Sequence, residues 1–330
     1  MSAPSRTPSA AGGGAPSKPQ GFQEININTL RLNSTLPFVL YTRIEGEHLI
    51  YRREDRPFTL VQRNALMASD LDLLYITADQ IPLYWQYLRD NIEHIIDDTE
   101  IPLEDRSMVL YHSSGELTRR IVESPLTEEK IDTAQTVVTE VIRFNEGGKG
   151  GLHALMKGMA TSPALYTHAL HVSQYGLALA REIGVFDTSD LGAFGTGLLL
   201  QDLGMLQLPP SMILKEGPFS FDEWTLLKRH PSMGLEALES IPGVPEITRM
   251  VVFGHHERID GSGYPQGLEG SEVPVMIRIA GIVDTFSGLT TSRPFRGAYS
   301  TYDALKLMTA EMGPTFDPDL LEMFIRLLGR

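Results

Sequence analysis

His255-His256-Glu257-Arg258-Ile259-Asp260-Gly261-Ser262-Gly263-Tyr264-Pro265 joins a pair of adjacent histidines to a glycine-rich loop. The pair follows Met250-Val251-Val252-Phe253, an apolar stretch of helical character. Neighbouring side chains on a helix diverge by about 100°. Two adjacent imidazoles therefore reach metal together only where both face a cluster. The loop runs on through Gln266 and Gly267. Its glycines let backbone come close to a ligand, and Pro265 stiffens it.

Further groups of the same chemistry lie on both sides. Downstream, Ile277 to Val283 reads as a buried helix that ends in Asp284. Upstream, the apolar run Gly197-Leu198-Leu199-Leu200 leads into Gln201-Asp202-Leu203-Gly204. A carboxylate there is costly to bury unpaired, so Asp202 either caps a helix end or faces a metal. On a helix, His168 shares a face with Leu165 and Val172 and points toward the core; His171 is its near neighbour. His230 stands before Pro231 at a helix end, while His48, His94 and His112 stand alone and read as structural or surface residues. The chain has no cysteine, which excludes a disulfide framework and a thiolate metal site. Imidazoles with carboxylates suit iron, manganese, zinc or nickel. An aspartate can bridge two ions, and two ions roughly 3.5–4 Å apart form a clamp for phosphoester cleavage.

The segment from about Ala164 to Ala304 resembles the HD-GYP domain, a helical branch of the HD phosphohydrolases. The matching residues are His168, Gln201-Asp202-Leu203-Gly204, Lys228-Arg229-His230-Pro231, the long run His255 to Pro265, Arg278-Ile279, Ile282-Val283-Asp284 and Arg293-Pro294. The resemblance implies hydrolysis of cyclic diguanylate by hydroxide generated at two divalent ions, iron first among the candidates, then manganese or another transition metal. It implies the metal ligands His168, Asp202, His230, His255, His256 and Asp284, with Asp202 as the bridge. His168 is chosen over His171 because its spacing to Val172 and to Ala178-Leu179-Ala180 fits the family helix. Asp202 and Gln201 would be the catalytic pair. Gly261, Gly263 and Tyr264 would line the substrate, with Tyr264 either against a guanine or packed inside its own loop. Arg293 and Arg296 would hold the second phosphate, since guanidinium forks fit phosphate oxygens; exposed surface arginines are the alternative.

The departures from the family pattern gather at the site. The signature histidine of the HD pair is Gln201, whose amide oxygen is a weak ligand at best. Met205 stands where a lysine is usual, and Ala164 where some members place a third-metal carboxylate. Phe286-Ser287-Gly288-Leu289 replaces Phe-Asp-Ala-Leu, and Phe295 replaces a tyrosine. Each change removes a polar contact. The expected function is weak phosphodiesterase activity. The alternative is a catalytically impaired metal- and nucleotide-binding protein that works in signalling or docking, and an HD hydrolase of another nucleotide is a third reading.

The remaining sequence sets the frame. The expected fold is mainly α, with an all-helical C-terminal domain at 151–330, a small α/β regulatory or partner-binding module at 22–100 and a helical linker at 101–150. Residues 1–21, rich in Pro, Gly, Ser and Ala, read as a disordered tail without the apolar centre of a signal peptide. Within the module, Pro37 to Ile44 and His48 to Tyr51 read as a hairpin around Glu45-Gly46-Glu47. Asp72 to Ile76 reads as a strand and Ala78 to Ile96 as a helix. Against 28 Lys and Arg stand 42 Asp and Glu, for a formal charge of −14. DNA and RNA polymers are thus poor candidate partners, because affinity for them comes largely from basic residues on phosphates; a small phosphate ligand and signalling proteins remain open. No apolar run approaches the roughly 18 residues of a membrane span, and a cytoplasmic location is expected.

Overall fold

The computed structural model describes residues 21–329 except Asp55, Asp70, Asp72, 95–98, Glu100, Ser124, 147–154, 156–164, Val185, Leu214 and 293–295. The expectations placed on the first twenty residues, Ala164, Arg293 and Phe295 therefore lie outside the described residues.

The N-terminal part is a four-stranded antiparallel sheet with helices. Its strands are β1 (Phe22–Asn26), β3 (Leu40–Ile44), β4 (Glu47–Arg52) and β6 (Leu73–Thr77), in the order β1-β6-β3-β4. The short strands β2 (Ser34–Thr35) and β5 (Pro57–Phe58) pair with each other. Glu45 and Gly46, both at positive φ, close the β3–β4 hairpin with Ile44 opposite Glu47, which is the two-residue turn that matches strand twist. Helix α1 (Leu60–Met67) starts from a capping box between Thr59 and Gln62. Helix α2 (Ile81–His94) buries Tyr84, Tyr87, Leu88 and Ile92, and Phe38 meets both tyrosine rings edge-on.

From Leu103 the described elements are helices. Helices α3 (Leu103–Val122) and α4 (Glu128–Glu146) take the segment expected as a linker and build it into the core. α3 packs on α2 and on α5 (Leu165–Ile183), and α4 packs on α6 (Thr188–Leu200). There follow α7 (Pro210–Ile213), α8 (Phe221–Leu227), α9 (His230–Glu239), α10 (Glu246–Gly254), α11 (Val275–Thr290), α12 (Thr301–Ala310) and α13 (Pro318–Leu328). One apolar cluster runs from Ile25 to Leu327, so the sheet and the helices share a core. Within it, α6 lies against α5 and α10, and α11 lies against α5. That arrangement brings the ends and inner faces of four helices to one place.

Candidate metal centre

The six expected ligands arrive from five places in the chain. His168 lies in the first turn of α5. Asp202 follows the end of α6, His230 opens α9, and His255 and His256 follow α10. Asp284 sits within α11. Asp202 occupies the cap of the 3-10 turn Leu203–Gln207 but its side chain makes no capping bond. Of the two roles open to it from sequence, it takes the one facing the histidines. Gly204 makes this possible: a Cβ there would overlap the His230 carbonyl and come within 2.7 Å of the Gly234 nitrogen. Only glycine lets the turn after Asp202 lie directly on α9.

Ligand atoms of Asp202, His230, His255 and His256 all fall within 4.8 Å of one another. The two oxygens of Asp202 look in different directions. Oδ1 is 3.5 Å from His230 Nε2 and 3.9 Å from His255 Nε2, while Oδ2 is 3.5 Å from His168 Nε2. Asp284 also divides its oxygens, with Oδ1 3.2 Å from His168 Nε2 and Oδ2 3.6 Å from His256 Nδ1. The six expected ligands thus form a single cluster. His171 is turned away from it, its Nε2 at 2.9 Å from the Tyr111 hydroxyl, and burial lowers its pKa to about 3.

The protonation pattern fits a cation. His230 Nδ1 lies 2.8 Å from the Leu227 carbonyl and His255 Nδ1 lies 3.0 Å from the Val252 carbonyl. A carbonyl only accepts, so both rings carry a proton on Nδ1 and turn Nε2 toward the cluster. Those two Nε2 atoms are 3.2 Å apart. Burial, then His230, lowers the His255 pKa to about 4, so His255 is neutral near pH 7. The neutral His255 thus presents an Nε2 lone pair beside the His230 Nε2, and one cation could meet both nitrogens. Burial holds His256 well below the usual imidazole value too. Burial alone would raise the Asp284 carboxyl, but the His168 hydrogen bond and the neighbouring imidazoles hold it below the usual carboxylate range. Neutral rings and ionised carboxylates are the forms that bind metal.

Two residues complete the site from behind. Ser287 Oγ lies 2.9 Å from His168 Nδ1 and 3.5 Å from the His168 carbonyl. The hydroxyl can donate to the carbonyl and accept from Nδ1–H, which would leave the His168 Nε2 free to ligate a metal held beside Asp202 and Asp284. Gln201 donates its amide N–H to Asp284 Oδ1 at 2.8 Å, and its Oε1 is buried without a partner. From sequence that oxygen was a weak ligand at best; Gln201 here meets the expected ligand Asp284 through its nitrogen. Ser287→Ala leaves the His168 Nδ1–H without an acceptor. It is expected to weaken metal binding by roughly 10–100-fold, the range for outer partners of ligating histidines. Competition with a metal-binding dye measures this, and unchanged affinity would remove Ser287 from the site.

The loop after the histidines is held from inside. Glu257 is buried, and its carboxylate accepts from the backbone of Gln266 at 2.6 Å and of Leu268 at 3.0 Å. Arg258 donates to the carbonyls of His255 and Glu257 and to Thr285 Oγ1. A Cβ on Gly263 would collide with the Glu257–Arg258 backbone. The Tyr264 ring consequently stands 4.6 Å from that of His256, with Lys228 Nζ 5.3 Å from its centre. Burial pushes the Tyr264 hydroxyl well above the usual phenol pKa, so it keeps its proton. Gly261 and Gly263 lie in the same loop. Arg296 has other partners: it donates to the carbonyls of Gly288, Leu289 and Gly297 and its guanidinium lies over Tyr299. Sequence reasoning passed over Glu257 and Arg258 as holders of the loop, though their place between the histidines and the glycines was a signal.

The HD domain family matches residues 159–320. The chain is similar to the cyclic di-GMP phosphodiesterase response regulator RpfG of Xanthomonas campestris, with 28% identity over 68% of this chain and 56% of that protein. It is also similar to the cyclic di-GMP phosphodiesterase PA4108 of Pseudomonas aeruginosa, with 30% identity over 61% of this chain and 49% of that one. The 3'3'-cGAMP-specific phosphodiesterase 1 of Vibrio cholerae is 30% identical over 51% of this chain and 38% of its own length. Residues 159–320 are an HD domain whose site loop carries the HD-GYP pattern. The chain spans about half the length of the first of these relatives. Among solved structures, Bd1817, described as a HDG"Y"P protein from Bdellovibrio bacteriovorus, shares the fold with a TM-score of 0.72 and 22% identity. That likeness covers 94% of this chain and 100% of the other, so it takes in the N-terminal sheet as well as the HD-GYP domain. No described helix is long and apolar enough to cross a membrane.

Proposed function

We propose that this HD-GYP domain is a metal-dependent phosphodiesterase for cyclic di-GMP or a closely related cyclic dinucleotide, with two divalent ions astride Asp202 and with slow turnover. The observation that carries the reading is the convergence of His230 and His255 Nε2 on one oxygen of Asp202, while its other oxygen faces His168. One position would be held by His168, Asp202 and Asp284. The other would be held by Asp202, His230, His255 and His256. Iron is the first candidate, because imidazole and carboxylate donors without sulfur suit it. Bound there, two such ions would lower the pKa of a shared water toward neutrality and polarise the phosphodiester.

The chain's own residues supply the rest. Asp284, steadied by the Gln201 amide, adds negative charge beside the histidines. Tyr264 stays a neutral phenol at the mouth of the cluster, where its ring and the Lys228 ammonium offer a surface to a base or a phosphate. Glu257 and Arg258 keep that tyrosine in place. Arg293 belongs to this reading as a phosphate ligand by its sequence position. Arg296, bonded to three carbonyls, serves it by fixing the segment that follows α11.

Slow turnover follows from what is missing. Met205 stands half-buried on the turn directly after Asp202, where it offers no charge to a phosphate. Losing one donor that stabilises developing charge costs on the order of 10²–10³ in rate. Turnover of cyclic di-GMP by the iron-loaded protein, followed by product chromatography, is expected to fall about 10²-fold or more below an enzyme with the full pattern. Adding Gln201→His, Met205→Lys and Phe295→Tyr together is expected to raise it. Equal rates for the unmodified protein and a full-pattern enzyme would contradict the reading. A second reading, a metal- and nucleotide-binding signalling protein without turnover, is favoured by Gln201 acting as a donor to Asp284. Saturable cyclic di-GMP binding with no product over long incubation would select it.

A further inference from the structure

We propose that the N-terminal module carries a second ligand site, in which Arg52, Arg53 and Arg56 receive a phosphate-bearing small molecule. The site is a concavity of about 730 Å³ at the end of β4, and Tyr51, Thr59 and Gln62 also line it. Among the described residues its lining contains three guanidinium groups and no carboxylate, on a chain whose formal charge is −14.

Arg52 forms the floor. It is 6% exposed, and both terminal nitrogens of its guanidinium are buried without a hydrogen-bond partner. An arginine keeps its charge under any ordinary condition, and a buried charge is strongly unfavourable unless it is paired. Burial, above all, lowers the Arg52 pKa, as expected for a cation lacking an anion; Tyr51 opposes the shift and Arg56 adds to it. Arg63, one turn into α1, shows the contrast: it is equally buried but meets Asp105 at 2.7 Å. Arg53 and Arg56 stand exposed on the rim.

The backbone is also shaped for a ligand. β4 is an edge strand. Opposite β3, Leu40 pairs with Arg52 but Tyr41 pairs with Ile50, so Tyr51 is an extra residue without a register partner. Such a bulge bends the strand and re-aims its side chains, and bulges are frequent beside binding sites. The wall opposite is the start of α1, where Thr59 and Gln62 cap each other. The first N–H groups of a helix and the positive end of its dipole favour an anion placed there. Buried unpaired charge, rim arginines, strand bulge and helix start all act on the same space. A phosphate matches each of them, because guanidinium forks bind its oxygens in pairs.

The test is calorimetric titration of the full-length protein with inorganic pyrophosphate, at two salt concentrations. Three proteins are compared: unmodified, Arg53→Gln/Arg56→Gln, and Asp202→Ala. Both substituted arginines are exposed, so folding should be kept, and circular dichroism checks it; Arg52→Gln is added as a fourth protein if it folds. The expected result is saturable binding that weakens with salt, survives Asp202→Ala, and drops by about tenfold or more in Arg53→Gln/Arg56→Gln, the effect of losing charge-assisted hydrogen bonds. The absence of saturable binding, binding indifferent to the two arginines, or binding lost with Asp202→Ala would each overturn the proposal. The last outcome would assign the pyrophosphate to the HD-GYP metal centre.

Discussion

Asp202→Ala is expected to strip the metal from the HD-GYP domain, while Gln201→Ala leaves most of it bound. The two residues are neighbours in sequence but act on the cluster differently. Asp202 offers one oxygen to His230 and His255 and the other to His168, so a carboxylate there touches both proposed ions and supplies charge to each. Its loss removes a ligand from two positions at once. Gln201 contributes a single neutral hydrogen bond to Asp284. Losing an outer partner of that kind weakens metal affinity by about 10–100-fold, and the loss of a bridging ligand is expected to exceed that range. Native mass spectrometry of the two purified variants reads the difference directly. Equal metal loss in both would mean that Asp202 does not bridge.

Gly204→Ala is expected to destabilise the protein by about 3 kcal/mol, at or above the upper end of ordinary overpacking. The added Cβ would overlap the His230 carbonyl, and 2.7 Å away it would meet the Gly234 nitrogen. Both are backbone atoms of α9 and cannot turn aside as a side chain can. The turn carrying Asp202 and the helix carrying His230 must therefore separate, and metal retention should fall along with stability. Gly192→Ala is the matched control. It lies in α6, and a Cβ there meets nothing within 4 Å. It should be neutral or slightly stabilising, by about 0.5–1 kcal/mol for alanine over glycine inside a helix. Chemical denaturation of both variants gives the comparison; equal midpoints would show that the close approach of turn and helix is not needed.

The local part of this molecule was open to reading and the distant part was not. The β3–β4 hairpin and α2 follow from periodicity and turn residues; the strands differ from the expectation by a few residues at their ends, α2 opens after a 3-10 turn at Ala78–Gln80, and the expected helix end at Ile96 lies outside the described residues. β1 gave no signal, because in Phe22–Asn26 only Ile25 is buried and no alternation develops. α1 was missed for a similar reason: Val61 is 79% exposed and Leu60 41%, so its apolar residues form no single stripe. The helices at 103–122 and 128–146 were legible as helices, but nothing in their pattern told that they enter the common core. At the site, residue types pointed to a metal cluster, and the resemblance to the HD-GYP family named His168, His230, His255 and His256 with Asp202 and Asp284 as its ligands. Their supports were hidden because they are set by tertiary contact. Ser287 and His168 are 119 residues apart, and Gln201 and Asp284 are 83 apart. Gln201 could be seen to depart from a histidine, but only the fold shows which of its two amide atoms faces the carboxylate. The role of Gly204 rests on the path of α9, which no local pattern fixes.

The central claim is two ions on the two sides of Asp202, and anomalous diffraction from crystals of the iron-loaded protein tests it most directly. The account predicts two peaks, one against His168 and Asp284 and one against His230, His255 and His256, with the Asp202 carboxylate between them. A single peak, or three peaks of comparable height, would contradict it.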